Sequence, residues 1–154
     1  ADDYVKAFVQ DASPARVLTA ENIMEEPATL LYRWEGPKTA RTILKKEKSE
    51  WAFVVDKKHQ FLGVAKLDDL DNVLKKGEKS FQDIIISDMP TCEKDQVVED
   101  LFALATKSPY PIPVVDDNNR LLGVVPTRTI FDSISQHYEE NGEEESQAEE
   151  DNNV

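Results

Sequence analysis

Apolar positions along the chain follow two rhythms, one helical and one alternating. In residues 4–12, Tyr4, Val5, Phe8 and Val9 recur at helical spacing until Ser13-Pro14 interrupts them. Thr19 stands where it can cap a short helix over Ala20–Met24, with Pro27 ending it. Thr29–Tyr32 reads as a short strand and Gly36-Pro37 as a turn. Thr39–Lys48 predicts a helix with Ala40, Ile43 and Leu44 on one face. Trp51–Val55 and Phe61–Lys66 read as the strands of a hairpin across the polar loop Asp56–Gln60. A helix over Leu67–Lys76 follows, with Leu67, Leu70, Val73 and Leu74 inward.

The same order then returns. Phe81–Ile85 is a helical lead-in and Thr91–Glu93 a short strand. Val97–Lys107 is a helix burying Val98, Leu101, Phe102, Leu104 and Ala105. Ile112–Val115 and Leu121–Val125 pair across Asp116–Asn119, and Thr127–Tyr138 closes with Ile130, Phe131 and Ile134 inward. Residues repeat as well as elements. Sixty positions apart and without a gap, Val54/Val114, Val55/Val115, Asp56/Asp116, Leu62/Leu122, Gly63/Gly123 and Val64/Val124 are identical. Such a period is too long for most solenoid units and indicates a small domain duplicated. A three-stranded sheet with helices on one face leaves an apolar surface that a twin covers. The expected fold is therefore α/β (α+β): two β-α-β-β-α repeats, at 20–79 and 80–138, packed as a pseudo-two-fold pair.

Composition narrows the function classes. The chain has 154 residues, 40% hydrophobic and 32% charged, enough for a core and for solubility. No apolar run approaches the ~18 residues of a membrane span, and no secretory signal pattern is present. The chain starts in the manner of mid-helix, so we expect a piece of a longer protein. Cys92 is the single cysteine, which excludes a disulfide within the chain and fits a reducing compartment. With only His59 and His137 besides, no metal site is expected. Net charge is −13, unevenly spread. Residues 139–154 hold eight carboxylates and no Lys or Arg, which leaves five net negative charges on residues 1–138. That stretch is expected to be a disordered acidic tail, and nucleic acid is a poor partner for such a chain.

Catalytic chemistry is not expected. There is no Gly-x-Ser-x-Gly elbow, no Cys–His pairing at a recognisable spacing, and no phosphate-binding Gly-x-x-x-x-Gly-Lys-[Ser/Thr] loop. The carboxylates Glu25/Glu26 and Asp68/Asp69/Asp71 read as solvated surface. The turn after each hairpin carries more information, because a strand leading into a helix aims free N–H groups outward and favours anions. The first such turn holds Asp68 and Asp69, which repel phosphate; the second holds Thr127, Arg128 and Thr129, which suit it.

The Val-Val-Asp…Leu-Gly-Val core of each unit resembles the CBS domain, a family occurring as tandem pairs that sense ligands within larger proteins. The likeness covers about residues 20–138. The segment Asp3–Met24 is similar to the stretch joining the ATPase to its CBS pair in ATP-binding subunits of glycine betaine/proline-type ABC importers. That resemblance implies that residues 1–19 are a linker helix from a preceding ATPase domain. It also implies a place on the cytoplasmic side of the membrane, with the rest of the transporter and a homodimer as partners. It implies a regulatory ligand, cyclic di-AMP, bound between two second repeats of the dimer to inhibit transport. The candidate residues for that site are Thr127 and Arg128, with Tyr110, Ile112, Val124 and Pro126 nearby. The alternative ligand is AMP or ATP at Lys66 and Asp69. The family's Gly-h-x-[Ser/Thr]-x-x-[Asp/Asn] pattern is kept at Asp69 but has Lys66 for the hydroxyl, and Gly123–Thr129 departs at both positions.

Other readings stay open. Core packing of Tyr110 and simple helix capping by Thr127 are an equal alternative; Trp34 and Trp51 suit packing as well as base stacking. Lys45, Lys46, Lys48, Lys57, Lys58, Lys75, Lys76 and Lys79 gather in the first repeat, as a solvated face or as a docking surface for the acidic tail or the membrane. An ionic-strength sensor without a small ligand, and a purely structural dimerisation module, are the competing functions.

Overall fold

The computed structural model describes residues 17–135. Most of the expected linker helix, the acidic stretch 139–154 and His137 lie outside the described residues. Within them, the elements are α1 (Ala20–Ile23), β1 (Leu30–Tyr32), α2 (Pro37–Lys46), β2 (Trp51–Val55), β3 (Phe61–Lys66), α3 (Leu67–Lys75), a 3-10 turn (Gln82–Ile84), α4 (Val98–Ala105), β4 (Ile112–Val115), β5 (Leu121–Val125) and α5 (127–135). Both hairpins fall where the alternation placed them. Thr19 precedes α1 as expected, its N–H and hydroxyl both reaching Asn22 Oδ1 at 2.9 Å. Helix α2 begins earlier than its apolar face, because Pro37 is suited to the first helical position after Gly36.

In the first repeat β1 runs parallel to β2, and β2 antiparallel to β3. The second repeat has the antiparallel pair β4–β5, and the expected strand at Thr91–Glu93 is reduced to a single parallel bridge, Cys92 to Val114. Alternation then sorts the side chains. Ala52 and Val54 face α2 and α3, in a core with Leu31, Leu44, Leu70 and Phe81. Phe53 and Val55 face the other way, joining Phe61, Val64, Leu121 and Val124 in a core between the repeats. The apolar face that the sequence left open is thus covered by its twin. Each fully buried Phe, Val or Leu contributes on the order of 2 kcal/mol.

One correction concerns α5. Ile130 is fully buried and Ile134 half-buried, but Phe131, expected inward, is 56% exposed and meets Phe102 edge-on at 5.4 Å. Adjacent helical positions point about 100° apart, so Ile130 takes the core and Phe131 does not.

The repeats are joined by exchange. The segment after α1 leaves its own repeat: Glu25 and Val124 exchange two backbone hydrogen bonds, at 2.8 and 2.9 Å. In the other lead-in segment, Ile86 and Val64 do the same, at 2.8 and 2.9 Å. Ala20, Ile23 and Met24 accordingly pack in the second repeat's core, and Phe81, Ile84 and Ile85 in the first's. The hairpin loops meet reciprocally too. Leu121 N–H donates to His59 O at 3.0 Å, and Phe61 N–H to Asn119 O at 2.8 Å. His59 and Asn119 are equivalent left-handed residues, with φ of 63° and 61°, a conformation for which both residue types are enriched.

This exchange explains the repeated glycine. Gly63 lies at φ +143°, where the ladder shifts register after Val54. A Cβ there would stand 2.1 Å from Ile86 O. A Cβ on Gly123 would stand 3.0 Å from Glu25 O and from Met24 Sδ. We expect Gly63→Ala to cost about 3 kcal/mol or more of folding stability. Gly77→Ala, also at positive φ (+72°) but with nothing within 4 Å, should cost about 1 kcal/mol. Urea unfolding of both variants checks this, and equal midpoint shifts would refute the close-approach argument.

Candidate functional site

Because the lead-in segments cross between repeats, two clefts open where the repeats meet. The first, of about 540 Å³, is lined by Glu25, Glu26, Pro27, Ala28 and Thr29 on one side, by Ser49, Trp51 and Phe53 below, and by Pro111, Val124 and Pro126. Its walls are mostly apolar. Its charged groups are carboxylates, and Thr129 Oγ1 donates to Glu25 Oε2 at 3.3 Å across the junction. The second cleft, of about 700 Å³, is lined by Glu50, Trp51, Lys66, Leu67, Asp68 and Tyr110. These figures include space open to solvent; the enclosed room is about 180 Å³ in the first cleft and 340 Å³ in the second, so the second reaches the size of a small-molecule site and the first does not. Trp51 borders both clefts and meets the Tyr110 ring at 4.9 Å and the Phe53 ring at 5.2 Å.

The sequence-selected residues do not all meet. Val124 and Pro126 line the first cleft, whereas Tyr110 borders the second, beside Lys66. Ile112 is 1% exposed and belongs to the second repeat's core. Thr127 and Arg128 are exposed in the first turn of α5. The first bonds of that helix run from Thr129 and Ile130 N–H to Pro126 O, so the N–H groups of Thr127 and Arg128 lie ahead of its ladder. The Arg128 side chain is 82% exposed and its nearest carboxylate, Asp132, is 3.8 Å away. Such a contact leaves the guanidinium free for another anion. At the equivalent turn of the first repeat, Lys66 precedes α3, and Asp68 and Asp69 occupy its first turn. Asp69 is half-buried and, unlike Asp68, is not among the residues that line the second cleft.

Sequence reasoning missed Trp51 as the wall shared by both clefts, and it missed the segment Glu25–Thr29. Strand alternation gives Trp51 a face but not a neighbour. Nothing local in residues 25–29 signals that they cross to the other repeat.

Cys92 lies at the base of a shallow groove with Thr91, Glu93, Gln96, Val115, Asp116 and Asp117. It is 2% exposed. Burial pushes its thiol up to about 11, the opposite of what a nucleophilic or metal-binding cysteine requires.

Comparison with known proteins places these features. Residues 81–136 match the CBS domain family model. The chain is 28% identical over 134 residues to the glycine betaine transport ATP-binding protein OpuAA of Bacillus subtilis, covering 87% of this chain and 32% of that one. It is 24% identical over 145 residues to the glycine betaine/proline betaine transport ATP-binding protein ProV of Salmonella typhimurium, covering 92% and 36%. The chain therefore spans about a third of the length of these curated relatives. Among solved structures it resembles Staphylococcus aureus OpuCA, with a TM-score of 0.64 and 23% identity over 74% of this chain and 97% of that one. It also resembles CBSX2 of Arabidopsis thaliana in complex with AMP, with a TM-score of 0.63 and 19% identity over 78% and 98%. Residues 81–136 thus match a CBS domain, the described fold is like that of solved CBS-domain pairs, and the chain is similar to part of the ATP-binding proteins of glycine betaine transporters.

The raised Cys92 thiol generates a pH prediction. An unfolded thiol titrates near about 8.5, so the native state holds its proton over a range where the unfolded state has lost it. This contribution to stability is intact below about pH 8.5 and is lost as pH rises toward about 11. Chemical unfolding of wild type and Cys92→Ala between pH 7 and 11 should show a steeper alkaline loss in the wild type. Parallel curves would refute it.

Proposed function

We propose that this CBS pair is the ligand-sensing regulatory module of a betaine ABC importer, and that it binds cyclic di-AMP between two second repeats of a homodimer to inhibit transport. The observation that carries the reading is the asymmetry of the two hairpin-to-helix turns. The second presents Thr127 and Arg128 at an open helix N-terminus, where among the described residues the guanidinium has a single ion pair, the 3.8 Å contact to Asp132. The first presents Asp68 and Asp69 at the same place. A phosphodiester is therefore favoured at the second repeat and repelled at the first. A two-fold symmetric dinucleotide matches a two-fold dimer in which each subunit supplies one half-site. Val124 and Pro126, on the strand leading into that turn, supply apolar contact for a purine.

Regulation requires that the ligand favour one transporter state over another. The relatives are ATP-binding subunits, so the dimer of CBS pairs would bias how two such subunits approach. The module then works on the cytoplasmic side of the membrane with the remainder of the transporter.

A second reading rests on a different cleft. Lys66, Asp68, Trp51 and Tyr110 border one cavity, Asp69 follows Asp68 in the first turn of α3, and CBSX2 has been solved with AMP. A single adenine nucleotide there would place a ring against Trp51 and Tyr110 and a phosphate near Lys66.

Calorimetry distinguishes the two. Cyclic di-AMP should bind the wild-type chain, and Arg128→Ala should weaken it about tenfold or more, while Asp69→Ala leaves it unchanged. AMP or ATP binding that is lost in Asp69→Ala and indifferent to Arg128→Ala would assign the second reading instead. No heat with any of the three at high micromolar concentration would remove the ligand claim.

A further inference from the structure

The lysines of the first repeat do not form one face. Helices α2 and α3 lie antiparallel: Gly36, at the start of α2, is in van der Waals reach of Lys79 O beyond the end of α3, and Leu67 N–H, at the start of α3, donates to Glu50 O just after α2. Lys45, Lys46 and Lys48 therefore sit at one end of the repeat, beside the clefts, and Lys75, Lys76 and Lys79 at the other. The second end also holds the β2–β3 loop with Lys57 and Lys58. Arg33 reaches it too, since its N–H donates to Val55 O at 3.0 Å. Arg33, Lys38, Lys57, Lys58, Lys75 and Lys76 are all exposed. The ion pairs found among the described residues, Arg41–Asp71 and Arg128–Asp132, involve none of them. Asp56, the carboxylate nearest the loop, already accepts the N–H groups of Lys58 and Gln60 at 2.9 Å.

The second repeat does not share this character. Sixty positions on, Lys57, Lys58, Lys75, Lys76 and Lys79 become Asp117, Asn118, Ser135, Gln136 and Glu139. The duplicated fold does not demand the lysines, so the basic end is a property of the first repeat alone. The two hairpin loops hydrogen-bond to each other, so the corresponding ends of both repeats lie on one side of the pair. By the repeat, Ser135 near the end of α5 is the mate of Lys75 and lies on that side. The chain continues from there into 139–154, with eight carboxylates and no cation.

We propose that the acidic segment 139–154 docks on this basic end of the first repeat. Its sixteen residues reach about 50 Å when extended. Tethering gives it an effective concentration on the order of millimolar. The contact is ionic and exposed, so it is strong in dilute salt and weak in concentrated salt. The Debye length falls from ~30 Å at 0.01 M to ~3 Å at 1 M. An anionic membrane is the rival occupant, and Trp34, 51% exposed beside Arg33, is the feature that would suit it.

The test is zero-length carbodiimide cross-linking of the full chain at low protein concentration, with the linked peptides mapped by mass spectrometry. At about 0.01 M salt, the glutamates of 139–154 should link to Lys57, Lys58, Lys75, Lys76 and Lys79 in clear preference to Lys45, Lys46 and Lys48. At 1 M salt the links should fall about fivefold or more. In the variant Lys57→Glu/Lys58→Glu/Lys75→Glu/Lys76→Glu, with its fold checked by circular dichroism, the links to Lys79, which keeps its amine, should be lost at both salts. Links spread equally over both groups of lysines would overturn the proposal, as would their absence at low salt. Binding to phosphatidylglycerol vesicles that the four-lysine variant abolishes, without links to 139–154, would overturn it in favour of the membrane.

Discussion

The structure depends on a reciprocal crossing of backbone between two copies of one small motif. Glu25 pairs with Val124 as Ile86 pairs with Val64, and the loop residues His59 and Asn119 each accept a bond from the other copy's returning strand. Backbone bonds of this kind are indifferent to side chains except where a side chain blocks the approach. That exception is the glycine of each Leu-Gly-Val. With Ile86 O where a Cβ of Gly63 would stand, any larger residue must push the lead-in strand away. The inter-repeat core of Phe53, Val55, Phe61, Val64, Leu121 and Val124 would open with it.

The same crossing makes the clefts. A lead-in segment that stayed in its own repeat would leave the edges of β3 and β5 bare. Crossing covers those edges and brings residues 25–29 over Trp51 and Phe53. Each cleft is therefore built from both repeats, which is why a ligand there can report on their relative position. Trp51, bordering both, is the physical link between them.

Much of this was legible in the sequence, and the reasons differ by element. The hairpins were, because period-two alternation and an Asp-led turn are local signals, and Asp56 and Asp116 each accept two turn N–H groups in the way an Asx turn requires. The duplication was legible because identical pairs align without a gap. The crossing was not: Glu25 and Ile86 make backbone bonds that leave no side-chain signature. Phe131 was misplaced because helical spacing defines a stripe and not its width. Tyr110, named with Val124 for one site, packs against the same inter-repeat core but lines the second cleft, against Trp51. The lysines seemed one cluster because composition ignores helix direction, and antiparallel α2 and α3 send them to opposite ends.

Duplication followed by crossing leaves the two copies under unequal constraint. Residues that close the shared core must stay complementary, and they repeat. Residues at the hairpin-to-helix turns and at the helix ends touch solvent, and they have diverged in charge: Asp68 and Asp69 against Arg128 and Thr129 at one end, lysines against Asp117 and Asn118 at the other. Neither divergence costs the fold much, because exposed charges contribute little to stability. Each sets up a field difference across a pseudo-two-fold axis that the backbone keeps symmetric. An anion, free or tethered, meets two copies of one scaffold and can tell them apart only by these side chains. Selectivity between repeats is therefore written at the solvent-facing ends of the helices, while the apolar clefts between them are common ground.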